Sequence, residues 1–217
     1  MMNSPLIFLL LLVLVFAASA RDVDNSLSPS AHDLSDLLSP FPLPAGAPSC
    51  GQPSPEGWAT CHNGAIPPGI THQGNDLPGN LPLWVCRAKY AATWLGRQPG
   101  VHPGKIRPPF LGCHVSYGGW EAEVVDYDVL AIPVGWEDDA DGQLPAPGYI
   151  LPAGYEGPQD GGQQLYVCKS HDNDAHGVQL GKIRPEFHGC YYPYGGHEIP
   201  VGTYSVATKN PGGAKRK

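Results

Sequence analysis

The chain has 217 residues and a formal net charge of −7, and 28 glycines with 25 prolines make up nearly a quarter of it. This share of Gly and Pro argues against long helices and favours many tight turns. The acidic balance excludes a broad basic surface for nucleic acid, since the one cluster of Lys and Arg is the tail Lys215-Arg216-Lys217. We therefore expect a turn-rich protein with no nucleic-acid partner and a basic tail at residues 209–217.

The first twenty residues have the pattern of a secretory signal peptide. Residues 6–16 form an apolar run, and Ala18-Ser19-Ala20 gives a small-x-small cleavage pattern before Arg21. The run is too short to span a bilayer comfortably. We predict that residues 1–20 are removed and that the mature chain is secreted, extracellular and not inserted into a membrane.

Residues 21–56 are rich in Ser, Pro and Asp, which favours an extended, non-helical chain. A flexible spacer or a pro-segment fits this composition better than a folded element does. The prolines that keep this segment extended are Pro40, Pro42, Pro44, Pro48, Pro53 and Pro55.

Two copies of one unit follow, at residues 57–132 and 133–208. The motif Gly104-Lys105-Ile106-Arg107-Pro108 returns as Gly181-Lys182-Ile183-Arg184-Pro185, 77 positions later (182 − 105). Such a repeat means that one structural unit occurs twice. The same displacement relates Cys113 to Cys190, Tyr117-Gly118-Gly119 to Tyr194-Gly195-Gly196, Glu121 to Glu198, and Tyr127 to Tyr204.

Within each repeat, short β-branched and aromatic runs are bounded by Gly and Pro, which is typical of strands. The two Tyr-Gly-Gly motifs suit tight hairpin turns. A unit of about 75 residues is small for an independent core. We therefore predict an all-β fold of two tandem repeats of antiparallel strands, packed on each other about a pseudo-twofold axis. The predicted strands are residues 83–88, 114–117 and 127–132, with partners at 165–169, 191–194 and 204–208.

Six cysteines in a secreted chain predict disulfides. The repeat makes Cys86 with Cys113 equivalent to Cys168 with Cys190, which leaves Cys50 with Cys61. Zinc is the competing interpretation, because several histidines lie near cysteines. Most of those histidines have no counterpart in the other repeat, and no C-x-x-C or H-x-x-x-H pair is present, so we expect no metal.

Motifs for catalysis or cofactor binding are missing. The sequence has no nucleophile elbow, no phosphate-binding loop and no dinucleotide fingerprint. Paired cysteines leave no thiol nucleophile. A pair of carboxylates for acid–base chemistry stays open, but nothing sets one pair apart. We expect no enzyme activity and no cofactor.

Polar residues that stay in matching slots are the candidates for binding. Lys105 and Lys182 follow a glycine, and Asp76 and Asp160 lie in Gly-rich loops upstream of them. An ammonium donates and a carboxylate accepts, so such a pair can hold two adjacent sugar hydroxyls, beside a flat Tyr or Trp face. Each residue alone could equally be a solvated turn residue or a local ion pair.

Together these blocks resemble the DM-nine repeat family. The resemblance rests on the order W…G-x-(I/L)-P…D…G-K-I…C…Y-G-G-x-E…Y-x-V and covers residues 57–208. The family includes tandem-repeat lectins of innate immunity and the N-terminal part of natterin-like proteins. The resemblance implies a β-rich fold and mannose binding, with sites at Asp76 and Lys105 and at Asp160 and Lys182, and Glu121 and Glu198 as secondary candidates.

Repeat one departs from the pattern at residues 94–99, an insertion ahead of Gly104-Lys105 that we expect to alter or cover its site. We therefore expect repeat two to hold the better site, and Lys182→Ala to remove mannose binding with little change in melting temperature. The expected partners are mannose-containing glycans on cell surfaces, and a homodimer would multiply the sites. The alternatives are a secreted structural or protein-interaction module that has lost sugar binding and, third, a glycan-cleaving enzyme.

Overall fold

The computed structural model describes residues 46–157, 162–171 and 175–209. Within these ranges the protein is all-β, as the sequence predicts, and its one helical element is a 3-10 turn at Thr93–Leu95. The strands of the first half are β1 Ser49–Cys50, β2 Trp58–His62, β3 Gly74–Asp76, β4 Leu81–Tyr90, β5 Gly100–Ile106, β6 Cys113–Tyr117, β7 Trp120–Val124 and β8 Asp126–Leu130. Those of the second half are β9 Gly135–Ala140, β10 Pro152–Glu156, β11 Gln163–Ser170, β12 Leu180–Ile183, β13 Cys190–Tyr194, β14 His197–Val201 and β15 Thr203–Thr208.

All six strands that the sequence predicts are present, as β4, β6, β8, β11, β13 and β15. The hairpins β6–β7 and β13–β14 turn at the two Gly-Gly pairs. Gly118 and Gly119 have φ of 66° and 93°, and Gly195 and Gly196 have 59° and 87°. Glycine takes these left-handed values at no steric cost, whereas other residues are strained there. The Tyr-Gly-Gly motif therefore fixes where each hairpin reverses.

Successive antiparallel pairings close a ring of eight strands. The order is β5, β6, β7, β14, β13, β12, β11 and β10, and β10 pairs with β5 again. The repeats meet at two seams of this ring, His197 opposite Trp120 and Tyr155 opposite Val101. Outside the ring, β2 and β8 extend from β4, while β9 and β15 extend from β11.

The hydrophobic core has one part that both repeats share and one part within each repeat. Burial of apolar surface in the shared part holds the repeats together. The pseudo-twofold axis stays a prediction, but the contact between repeats that it implied is present. Repeat one gives the shared cluster Trp58, Leu83, Val85 and Leu130, and repeat two gives Leu151, Ala153, Val167, Leu180 and Ala207.

The three disulfides are those that the repeat predicts: Cys50–Cys61, Cys86–Cys113 and Cys168–Cys190. The first joins β1 to β2 at paired positions, so the C-terminal end of the segment predicted as a spacer is part of the sheet. The other two lie inside the clusters that belong to one repeat each. No cysteine is left as a free thiol.

The predicted signal peptide, most of the predicted spacer and nearly all of the basic tail lie outside the described residues. Among the described residues, no helix has the length and apolar character needed to cross a membrane.

The shared cluster predicts that one repeat cannot fold alone. Residues 57–132 expressed by themselves would expose Leu83, Val85 and Leu130, which the second repeat covers. We expect narrow amide dispersion in an NMR spectrum of this fragment, and a well-dispersed spectrum of the two-repeat protein recorded alongside. A well-dispersed, cooperatively melting fragment would contradict the shared core.

Candidate functional site

Both motif lysines point into the protein, and the glycine before each allows close strand pairing. A Cβ on Gly104 would collide with the carbonyl oxygen of His114 in β6, and one on Gly181 with that of Tyr191 in β13. Glycine is therefore required where β5 meets β6 and where β12 meets β13. The lysine that follows is buried in each case, with 2% of Lys105 and none of Lys182 exposed.

Lys105 is held by an uncharged group. Its Nζ donates to Oε1 of Gln179 at 2.6 Å and lies 4.7 Å from the centre of the Tyr194 ring. Nε2 of Gln179 donates in turn to Oδ1 of Asp76 at 3.1 Å, and Nε of Arg107 donates to Oδ2 of the same carboxylate at 3.0 Å. Gln179 thus bridges Lys105 and Asp76, which the sequence predicts as one site.

Lys182 is held directly by two carboxylates. Its Nζ lies 2.7 Å from Oε1 of Glu156 and 3.1 Å from Oε1 of Glu198. Nδ1 of His102 is 3.4 Å from the same ammonium, and the Tyr117 ring centre is 5.0 Å away. Burial first, and the charge of Lys182 second, lower the pKa of His102 to about 2, so this imidazole is neutral and accepts through Nδ1.

The two clusters are built by exchange between the repeats. His102 and Gln179 occupy matching slots three residues before each lysine, yet each contacts the lysine of the other repeat. The tyrosines do the same: Tyr117 lies over Lys182, and Tyr194 over Lys105. Each cluster is therefore complete only when both repeats are present.

The secondary candidates Glu121 and Glu198 hold the Gly-Gly turn of the opposite repeat. Glu121 accepts from the Gly196 N–H at 2.7 Å, and Glu198 accepts from the Gly119 N–H at 2.8 Å. Burial raises the pKa of Glu121, but hydrogen bonds from His114 and from Gly196 outweigh it and lower the pKa overall. Both carboxylates thus belong to the seam between β7 and β14.

Asp160, predicted to pair with Lys182, lies outside the described residues. The carboxylate from upstream in repeat two that the structure places beside Lys182 is Glu156, in addition to Glu198. Gly74 pairs with Leu83 and Gly154 pairs with Leu165, so Asp76 and Glu156 have matching places two residues further along β3 and β10. In the sequence, this equivalence is visible as a Gly-x-acid triplet in each repeat, Gly74-Asn75-Asp76 and Gly154-Tyr155-Glu156. Sequence reasoning missed Glu156 because the segment from Glu156 to Leu165 is two residues longer than the segment from Asp76 to Leu83.

The outer edge of each cluster is a carboxylate with a guanidinium. Arg107 and Asp76 keep 16% and 10% of their side chains exposed, and Arg184 and Glu156 keep 18% and 12%. Each guanidinium also lies over a phenylalanine ring. Cζ of Arg107 is 4.3 Å from the centre of the Phe110 ring, and Cζ of Arg184 is 4.5 Å from that of Phe187. Both arginines belong to the repeated motif, but their role was not predicted.

The burial of the lysines changes one expectation. We now expect Lys182→Ala to lower the melting temperature, because it removes the ammonium between Glu156 and Glu198 and leaves Arg184 as the cation beside Glu156. Lys105 and Lys182 are likewise not the solvated turn residues that the sequence left open as an alternative.

The insertion at residues 94–99 borders the cluster of the other repeat's lysine. Cδ1 of Leu95 packs where a Cβ on Gly118 would point, and the Arg97 guanidinium lies 5.8 Å from the Tyr117 ring centre. Since Tyr117 lies over Lys182, the insertion lines the Lys182 cluster through this ring. The argument that repeat two has the less obstructed site therefore loses its basis.

The fold and the two lysine clusters together define a class of protein: an all-β protein of two repeats, with a cluster of cations and carboxylates from each repeat where the repeats meet. Residues 78–201 match the family model described as DM9 repeat. This match covers more than half of the chain, so the chain belongs to the DM9 repeat family, which confirms the resemblance. No curated protein matches the chain significantly. Membership is consistent with a carbohydrate-binding, lectin-like module.

The Lys182 cluster predicts a large loss of stability on removal of the ammonium. We expect Lys182→Met to lower the free energy of unfolding by about 3 kcal/mol, because two largely buried carboxylates lose their ammonium and only Glu156 keeps a second cation, Arg184. Adding Glu156→Gln and Glu198→Gln should restore part of the loss. Urea unfolding measures both, with the exposed Lys89→Met as control. A loss no larger than that of the control would contradict this role.

The Lys105 cluster predicts a pH dependence. Burial lowers the pKa of Lys105 to about 8, although Asp76 and Glu121 partly oppose this. The unfolded lysine keeps its ordinary pKa, so above pH 8 the unfolded state binds more protons and stability from this group rises with pH. Above pH 10 the buried Tyr127 and Tyr204, whose pKa values are raised to about 12, act in the opposite direction.

The free energy of unfolding of the wild type, minus that of Lys105→Met, should therefore increase between pH 8 and pH 10 by about 1 kcal/mol per pH unit. Lys89→Met, which removes an exposed lysine, should give no such trend. Denaturant unfolding at four pH values measures the difference, and a flat profile for Lys105→Met would show that the buried amine does not titrate in this range.

Proposed function

We propose that this protein is a secreted, mannose-type lectin with one sugar site at the outer edge of each lysine cluster. The observation that carries the proposal is the carboxylate–guanidinium pair at each edge. Arg107 is hydrogen-bonded to Asp76 at 3.0 Å, and Arg184 forms an ion pair with Glu156 at 3.5 Å. Lys182 contacts Glu156 of its pair directly, and Lys105 reaches Asp76 of the other pair through Gln179. Asp160 belongs to the proposed second site on the resemblance alone.

The chemistry suits two adjacent hydroxyls of one sugar. Each oxygen of Asp76 accepts one hydrogen bond from the protein, from Gln179 or from Arg107, and a carboxylate oxygen can accept a further one. A sugar hydroxyl can donate to that oxygen, while its neighbour accepts from the guanidinium. The side chains are already ordered by their own contacts, so binding costs little conformational entropy.

The overall strength of glycan binding would come from the number of sugar sites on each molecule. Sugar hydroxyls are well solvated, so a single site should bind mannose with a Kd of about mM to μM. Two sites per chain, and four in a homodimer, raise the avidity for a surface dense in mannose-containing glycans. The three disulfides are compatible with an extracellular protein, which is where such surfaces are found. The proposal includes no catalytic residue and no cofactor.

One observation favours a second candidate function, a structural or protein-interaction module. The lysines are buried and their partners come from both repeats, so the clusters have a role in joining the repeats without any ligand. A protein that has lost sugar binding would keep this role.

Two isosteric changes separate these functions. Asp76→Asn and Glu156→Gln together keep the side-chain shape and remove the charged acceptor from both edges. We expect at least a tenfold loss of affinity for methyl α-mannoside, because charge-assisted hydrogen bonds are the stronger kind. Calorimetry measures this affinity, and circular dichroism checks that the variant is folded.

Glu186→Gln is the matched control. Glu186 also lies beside Arg184, at 3.6 Å, but its side chain is 56% exposed and it belongs to no cluster. This variant should bind mannose as the wild type does. Unchanged binding in the folded double variant would place the sugar elsewhere, and a wild type that binds no mannose would favour the interaction module.

A further inference from the structure

A cavity lies on the opposite face of β10 from the Lys182 cluster. The cavity has a volume of about 450 Å³ and opens at the seam where β10 meets β5. Ligand sites commonly have volumes of about 300–1,000 Å³ and form where two structural units meet. Repeat one contributes Arg87, Val101 and Asp128 to its lining, and repeat two contributes Pro152, Gly154, Tyr155 and Gln164.

The strand register explains why these side chains share a face. Tyr155 pairs with Gln164 on one side and with Val101 on the other. Successive side chains of a strand point to opposite faces, so Glu156, the next residue along β10, turns towards Lys182 instead. The cavity and the Lys182 cluster are therefore separate sites on the two sides of one strand.

Arg87 is fixed in place as a donor. Its Nε donates to Oδ2 of Asp128 at 3.0 Å, and its guanidinium lies 4.2 Å from the centre of the Trp58 ring. Oδ1 of Asp128 accepts from the Thr60 hydroxyl at 2.8 Å. The hydrogen bond to Asp128 uses Nε, which leaves the two terminal nitrogens of Arg87 as paired donors at the cavity wall.

The charges of this wall favour a neutral ligand. Arg87 and Asp128 lie side by side, so an anionic ligand would be repelled by the carboxylate and a cationic ligand by the guanidinium. A ligand with hydroxyls can accept from the guanidinium and donate to the carboxylate without breaking their ion pair. Tyr155 adds an aromatic face of the kind that the apolar side of a pyranose ring contacts.

An adjoining cavity of about 230 Å³ shares Arg87, Val101 and Asp128, and it continues past Lys89 towards Asp126. The two adjoining cavities together form an elongated groove, which is longer than a pocket for a single sugar ring. We propose that this groove binds a neutral oligosaccharide of two or more sugar units, as a site additional to the lysine clusters and independent of them.

Repeat two carries a different set of residues at the matching place. Lys169 lies 4.6 Å from the Trp136 ring centre, where repeat one has Arg87 over Trp58. The Ser205 hydroxyl donates to Asp138 at 2.7 Å, so the hydroxyl and the carboxylate have exchanged strands relative to Thr60 and Asp128. An ammonium cannot offer the planar paired donors of a guanidinium. This difference supplies a matched control.

The test uses the indole signal of Trp58, the ring on which Arg87 is stacked, in full-length protein labelled with ¹⁵N-tryptophan. Trp58→Phe assigns the signal. Titration with mannobiose or cellobiose should shift the Trp58 signal saturably and leave that of Trp136 in place. Arg87→Lys keeps the charge and loses the paired donors, so it should weaken this binding at least tenfold. Lys169→Arg should leave it unchanged.

The proposal is overturned if neither disaccharide shifts the Trp58 signal, if folded Arg87→Lys binds as the wild type does, or if the charged lactobionate alone binds. Asp76→Asn/Glu156→Gln separates this site from the proposed mannose sites. The Trp58 shift should persist in that variant even where monovalent mannose binding is lost. If the Trp58 shift is absent in Asp76→Asn/Glu156→Gln, the shift arises from binding at the lysine clusters, and the proposed groove site is wrong.

Discussion

The structure depends on two ammonium groups that are buried where the repeats meet. A buried charge is costly unless it is hydrogen-bonded or paired. Lys105 meets this requirement with Gln179 of the second repeat, and Lys182 with His102 of the first in addition to its own Glu156 and Glu198. Each lysine thus needs a hydrogen-bond partner from the other repeat. The closed ring of strands brings these partners together, and their contacts in turn help to hold the ring closed.

The same arrangement makes the two clusters electrostatically different. One lysine is held through a neutral amide and has a pKa lowered to about 8, whereas the other contacts two carboxylates directly. Gln179 stands between Lys105 and Asp76, whereas His102 in the matching slot leaves Glu156 in direct contact with Lys182. Two copies of one motif therefore need not give two equal sites, and the insertion that packs on Tyr117 adds to the difference.

Much of the fold could be predicted because its signals are local or repeated. The β-branched runs gave β4, β8, β11 and β15, and the Gly-Gly pairs gave the hairpin turns with positive φ. The cysteines occupy equivalent slots, which was enough to pair Cys86 with Cys113 and Cys168 with Cys190. Strands β5 and β12 were missed, since β5 contains two glycines and a proline and β12 is four residues long with a glycine and a lysine at its centre.

The sequence by itself determined the repeat, the all-β class, the disulfide pairs and the family to which the chain belongs. The tertiary structure decided which groups surround each lysine: that His102 and Gln179 cross to the opposite repeat, that Glu156 lies beside Lys182, and that both lysines are buried. The reason is physical. Residue types and their spacing are fixed along the chain, but side-chain partners depend on strand register and on which face each residue takes, and both are set by pairings between distant strands.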